Sequence, residues 1–183
     1  MPAHGASGAP RLRLATVADV PALDALIADS VRGLSAGHYT PAQIEGALRH
    51  VFGVDTQLVA DGTYFLIEHD GVPVACGGWS RRRTLFGGDQ HKSGIDNRLD
   101  PSCAPARIRA FFVHPAHARR GLGRRLYDVC ADAARTAGFQ ALELMATLPG
   151  VPLYTALGFE PLEPVAVPTP SGPLPCIRMK KAI

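Results

Sequence analysis

Residues 107–147 constrain the fold of this chain more than any other stretch. The run RIRAFFV (107–113) is apolar enough for a buried strand, and ALELMAT (141–147) is apolar in the same way. Between them GLGRRLYDVCADAARTAG (121–138) carries apolar residues at helical spacing and ends at Gly138. Two strands joined by a helix of this length form a parallel pair with a right-handed crossover. The two strands are therefore expected side by side in one sheet, with the HARRGLGRR turn where the first strand ends.

The flanking sequence supplies the rest of a single unit. RLRLA (11–15) reads as a short strand, and Val20, Leu23, Leu26, Ile27, Val31 and Leu34 then recur at helical spacing after Thr16, a candidate cap with Asp19 in the first turn. A second helix is expected from Thr40, where Pro41 suits the first helical position and Gln43 completes a capping box. TYFLIEHDGVPVACGGWS reads as a hairpin turning at Asp70-Gly71. VPLYTALG is a short helix stopped by Gly158, and the tail reads as two strands around a Pro-Gly-rich connection. With 183 residues, 46% of them apolar, the chain is long enough for one core and too short for two. One domain is expected over residues 11–183, after a frayed, disordered N-terminus at 1–10.

Residues 81–105 are polar and aperiodic, a length at which an unstructured segment is usually functional or mobile, and a substrate lid is the functional reading. Positive charge is concentrated nearby. Residues 79–125 hold eleven Lys or Arg and three acids, although the whole chain is only +3. A small bound polyanion accounts for that concentration better than nucleic acid does, because net charge is low and aromatic residues do not interleave with the basic ones. SRRRTLFGGDQ is either a solvated basic loop or an attractor of an anionic substrate or of phosphates. Its field repels polycationic acceptors such as polyamines.

The turn after residue 113 has the geometry of a phosphate site, because the first N–H groups of a helix lack intrahelical partners and its dipole favours an anion. Gly121 and Gly123 let the backbone approach closely, and Arg119, Arg120 and Arg124 add charge-assisted hydrogen bonds. A Walker loop needs a Gly-Lys-Ser/Thr ending, which is absent, and a dinucleotide fingerprint needs Gly or Ala where Leu126 stands. On these residues alone, a phosphate cradle and a plain basic helix start both stay open.

VHPAHARRGLG resembles the acetyl-CoA-binding motif of the GNAT N-acetyltransferase superfamily, Gln/Arg-x-x-Gly-x-Gly/Ala after a strand ending in Val-x-Pro, and PLYTALGF resembles its second motif. The order of elements from Arg11 onward is similar too. The sequence departs from the pattern at Ala118, where Gln or Arg is usual, at Leu153, where an aromatic residue is common, and at Pro149-Gly150. The resemblance implies an α/β (α+β) fold: a mixed, mostly antiparallel sheet with one central parallel strand pair and helices on both faces. It also implies direct acetyl transfer from acetyl-CoA to a primary amine. The phosphate loop would then be Arg119, Arg120, Gly121, Leu122, Gly123 and Arg124. Phe112 and Val113 would pair with the pantetheine arm and donate an N–H to the thioester carbonyl, and Tyr154 would be the general acid.

No general base is singled out among Glu68, Asp89, His91, His114 and Glu143, and a water chain is the other route. The acceptor is expected to be a small-molecule amine. A protein or peptide amine, or a non-catalytic acyl-CoA binder, are the alternatives, and homodimerisation stays open. Cys76, Cys103, Cys130 and Cys176 have neither zinc nor disulfide-framework spacing, so no metal is expected and the thiols are read as reduced. Without a signal-peptide pattern or a membrane-length apolar run, the expected setting is cytoplasmic, with no membrane or nucleic-acid partner.

Overall fold

The computed structural model describes residues 8–183. In chain order the elements are β1 (Arg11–Leu14), α1 (Val20–Ser35), α2 (Pro41–His50), α3 (Thr56–Ala60), β2 (Tyr64–His69), β3 (Val72–Ser80), β4 (Ala106–Val113), α4 (Leu122–Thr136), β5 (Ala141–Thr147), α5 (Val151–Ala156), β6 (Glu160–Val167) and β7 (Leu174–Ala182). The strands form one seven-stranded sheet ordered β1-β2-β3-β4-β5-β7-β6. Every neighbouring pair is antiparallel except β4 and β5, which are parallel as the crossover requires.

Local chemistry sets several of these elements. Asp70 (φ 51°) and Gly71 (φ 78°) both take left-handed angles, the conformation of a tight two-residue hairpin turn. Thr40 Oγ1 accepts from Gln43 N while Gln43 Oε1 accepts from Thr40 N, which closes the capping box of α2. Thr16 opens a 3₁₀ turn, Val17–Asp19, that leads into α1. There Asp19 Oδ2 accepts from Thr16 N at 2.8 Å and the Arg13 guanidinium clasps both Asp19 oxygens. Part of the expected frayed N-terminus, residues 1–7, lies outside the described residues. Gly8 N donates to Asp70 Oδ1, and Arg125 Nη1 donates to Pro10 O.

Strand alternation sends successive side chains to opposite faces, and each face has its own helices. Leu66 and Cys76 pack with Leu23, Leu26 and Ile27 of α1 and with Ile44 and Ala47 of α2. Their neighbours Ile67 and Ala75 pack on the other face with Leu122 and Leu126 of α4. The same α4 stripe continues through Tyr127, Cys130, Ala131 and Ala134 against Leu142 and Leu144 of β5. Each fully buried leucine of this kind contributes about 1.5–3 kcal/mol.

Two irregularities position the site. The parallel pairing is confined to Ala106↔Leu142 and Arg107↔Glu143, after which β4 and β5 part. Ala110 takes φ 53° opposite a register shift between Cys76 and Gly78, and its carbonyl accepts from the Tyr64 hydroxyl at 3.3 Å. A non-glycine residue in that region costs about 1–3 kcal/mol and persists because its surroundings impose it. At the far side of the sheet, β6 is interrupted by Pro161 and Pro164 and by a register shift between Pro161 and Glu163.

Candidate active site

The parting of β4 and β5 opens a cavity of about 900 Å³. Its floor is the second half of β4, its far edge is Met145 and Thr147 of β5, and its roof is the C-terminal half of α1. The start of α4 closes one end. There Arg119 (φ 62°) and Gly121 (φ 79°) bend the chain, and α4 begins at Leu122. Among the described residues the N–H groups of residues 119–121 meet no backbone acceptor, and those of the first helical turn have none by helix geometry. A concave run of unpaired N–H groups at the positive end of a helix is an anion site.

Of the residues singled out in the sequence, Phe112, Val113, Arg119, Gly121, Leu122, Gly123, Arg124 and Tyr154 all line this one cavity. Arg120 is outside the lining. The two β4 residues present themselves differently. The Phe112 N–H is turned to the Cys76 thiol on β3, whereas the Val113 N–H faces the opened edge, where Ser30 Oγ of α1 accepts from it at 3.2 Å. Gly123 also has a role beyond close approach to a ligand. A Cβ there would come within 2.8 Å of Leu153 Cδ2, so its small size lets α4 and α5 pack together. Tyr154 projects from α5, and its ring sits against Phe111 and Phe159. Burial holds its phenol well above the usual tyrosine range, so it is protonated at any physiological pH. Among the described residues its hydroxyl has no hydrogen-bond partner.

The segment 81–105 carries ties of its own. Arg82 bonds both carboxylate oxygens of Asp61 at 2.6 and 2.8 Å and the Asp96 carbonyl, and Leu99 N donates to Arg81 O, so the segment folds back on itself and is tied to the sheet. Its part 85–88 forms one wall of the cavity. The tie beneath that wall is Arg109 of β4, only 2% exposed, which donates to Thr84 O, Gly87 O and Asp55 Oδ2. Asp55 is 1% exposed, also accepts from Lys92, and caps α3 through Gln57 N. Burial pulls the Arg109 pKa down while Asp55 opposes the shift. Arg81, Arg82 and Arg83 do not line the cavity, and Arg81 lies over the Trp79 ring.

Among the described residues the lining contains no Asp or Glu, and none of the five base candidates is part of it. Glu68 is paired with Arg13, Glu143 with Arg107 and Arg178, and Asp89 accepts from Thr56 N. His91 lies on Phe86, and His114 Nδ1 accepts from Ala116 N. Sequence reasoning missed Ser30, His38, Phe52, Leu85 and Phe86, which the fold brings to the cavity from three separate segments. No local pattern marks them.

Residues 37–159 match the model of the acetyltransferase (GNAT) family, and the chain belongs to that family. Its fold is shared by a GCN5-related N-acetyltransferase from Rhodopseudomonas palustris, at 19% identity and a TM-score of 0.72, over 99% of this chain and 100% of that one. PaiA N-acetyltransferase from Thermoplasma acidophilum, solved with coenzyme A, aligns at 12% identity and a TM-score of 0.66 over 96% and 100% of the two chains. YncA from Salmonella typhimurium, a putative acetyltransferase solved with acetyl-CoA, aligns at 19% identity and a TM-score of 0.62 over 96% and 94%. No curated protein sequence matches the chain. Among the described residues no helix is long and apolar enough to cross a membrane, and no cluster of metal-ligating side chains occurs.

Proposed function

We propose that the protein transfers an acetyl group from acetyl-CoA to a primary amine of a small molecule. The observation that carries this reading is that, among the described residues, the N–H groups of residues 119–124 and the Tyr154 hydroxyl are without partners in and at the mouth of one cavity. These residues fit a CoA thioester. The loop N–H groups would take its pyrophosphate, with Arg119 and Arg124 adding charge from the cavity wall and Arg120 from outside it.

Acetyl-CoA supplies the acyl group already activated as a thioester. Val113 N–H donates to the carbonyl oxygen, where negative charge grows as the amine attacks, and the Ser30 hydroxyl, which now accepts that hydrogen, is itself a second donor. Phe112 supports the strand edge from the side of β3. Tyr154 holds a proton for the departing sulfur. With a thiol pKa of ~8.5 the leaving group needs modest help, whereas an alkyl amine at ~10.4 must lose about 4–5 kcal/mol worth of protonation at pH 7 before it can attack.

The test is calorimetry with acetyl-CoA, followed by thiol release across a panel of amines. Arg119→Ala with Arg124→Ala should weaken acetyl-CoA binding at least tenfold, ~1.4 kcal/mol, and flatten its salt dependence. Wild-type affinity in the folded double variant would remove the loop from the site. Binding without release for any amine would favour a non-catalytic acyl-CoA binder, and release only with peptides would favour a protein acceptor.

A further inference from the structure

The chemistry of the cavity changes along β4. That strand runs from Ala106 to Val113 toward the phosphate loop, so the wall anchored at Arg109 lies at the opposite end from residues 119–124. Near the loop the lining is basic, with His117, Arg119 and Arg124. Away from it the lining is mostly hydrocarbon: Leu34 of α1, Val51 and Phe52 after α2, Leu85 and Phe86 of the wall, and Met145 of β5, with the polar side chains of Ser35 and His38 at and just after the end of α1. Phe52 packs edge-on against Phe112 with centroids 5.9 Å apart, which makes this corner continuous with the strand residues beside Tyr154.

Charge is missing from that half for a structural reason. Among the described residues Arg109 is the arginine beneath it, and its two terminal nitrogens are taken up by Asp55 and by the Thr84 and Gly87 carbonyls, while its buried Nε keeps no partner. The arginines at 81–83 do not reach the cavity, and Asp61 is committed to Arg82. Among the described residues the lining has no carboxylate, so a second ammonium on an acceptor would be desolvated without a counter-ion, and an acceptor carboxylate would meet only the His38 ring and an Arg109 guanidinium already shared with Asp55.

From this division we infer, resting on the acetyl-transfer reading above, that the acceptor is a primary amine on an uncharged aryl or branched-alkyl body, taken as the neutral free base. The apolar half desolvates the body, and the absence of a carboxylate favours the uncharged nitrogen over the ammonium. The neutral nitrogen forms its bond to the acetyl carbon as the carbon–sulfur bond breaks. Sulfur takes the bonding pair and the Tyr154 proton, and the proton shed by nitrogen returns through solvent to the phenolate, so that amide and thiol are the only products. This also accounts for a cavity without a carboxylate base.

The experiment compares kcat/KM for 2-phenylethylamine and isopentylamine with putrescine, spermidine and lysine, with acetyl-CoA binding measured in parallel by calorimetry. The hydrocarbon amines should exceed the others by at least ~10-fold, the smallest discrimination expected of an apolar pocket. Their pH profiles should rise with pH and break at the pKa of each amine rather than at one shared value. Leu85→Glu, which places a carboxylate on the half-buried wall, should shift the ratio toward putrescine. Preference for the charged amines, equal rates, no acetylation of any amine, or a common break for both hydrocarbon amines would overturn the inference. Acetylation of the charged amines would confine the failure to the acceptor class, whereas acetyl-CoA binding with no amine acetylated, or no acetyl-CoA binding at all, would remove the acetyl-transfer reading as well.

Discussion

The Asp55–Arg109 pair makes a demanding test of how the cavity wall is built. Both side chains are about 1% exposed and meet at 2.8 Å, so removing one partner leaves a charge without solvent. Breaking such a pair costs about 3–5 kcal/mol. Asp55→Ala also removes the cap of α3, worth ~1 kcal/mol. The sum is a large part of the ~5–15 kcal/mol that stabilises an ordinary domain. At 2–4 °C per kcal/mol for a chain of this size, Tm should fall by about 10–20 °C. Arg109→Met takes the donors from Thr84 O and Gly87 O but leaves Asp55 with Lys92, so its main effect should be on the wall: a higher KM for the amine with acetyl-CoA affinity unchanged. Asp55→Asn combined with Arg109→Met removes both charges and keeps the capping oxygen. In urea unfolding followed by the fluorescence of buried Trp79, its destabilisation should be smaller than the sum for Asp55→Asn alone and Arg109→Met alone by ~1–3 kcal/mol. Additivity within ~0.5 kcal/mol would refute the coupling.

Tyr154→Phe should lower kcat about 100-fold, toward the low end for a general acid, with acetyl-CoA affinity within about threefold. Tm should hardly move, because the hydroxyl has no partner among the described residues; full turnover with a lower Tm would return the residue to the core. In the native protein an aromatic disulfide reagent should titrate Cys103 quickly and the other three thiols only on unfolding, because burial pushes Cys76 up to about 12 and Cys176 to about 11 and raises Cys130 as well. Rapid reaction of a second thiol would contradict the packing. Asp19 and Asp61 are held below the usual carboxylate range by charged hydrogen bonds from Arg13 and Arg82. The unfolded chain therefore binds more protons in acid, so this stabilisation is complete above the unfolded value of ~3.9 and is lost as pH falls through the folded ones. Tm should decline from about pH 5 downward, less steeply in Asp61→Asn; equal slopes would discount the Arg82 contact.

What was legible in the sequence is what neighbouring residues decide. The Asp70-Gly71 turn, the Thr40–Gln43 box and the parallel pair joined by α4 each follow from chemistry within a few residues or from one connection length. The turn into α4 at residues 119–121 belongs to the same class. Elements set by distant partners stayed hidden. The five-residue α3 is too short to show a period and depends on Asp55, which in turn depends on Arg109, 54 positions away. Ala110 has a left-handed angle without glycine, imposed by the register of β3. Charge counting gave Arg109 and Arg82 only as part of a basic stretch, whereas the fold pairs each with an aspartate from a distant segment. The apolar half of the cavity joins α1, the end of α2 and residues 85–88, which have no common signature until the sheet parts.

The two ends of the sheet have a bearing on how the molecule behaves in crowded solution. β6 lacks an N–H at two of its eight positions, Pro161 and Pro164, and its register slips between them, so it makes a poor template for an incoming strand. β1, at the other end, is only four residues long, and it carries Arg11, 74% exposed, two positions from Arg13. A second copy aligned there would bring like charges together along the seam. Neither margin invites zipping into a continuous ribbon, which guards the protein against fibrillar association.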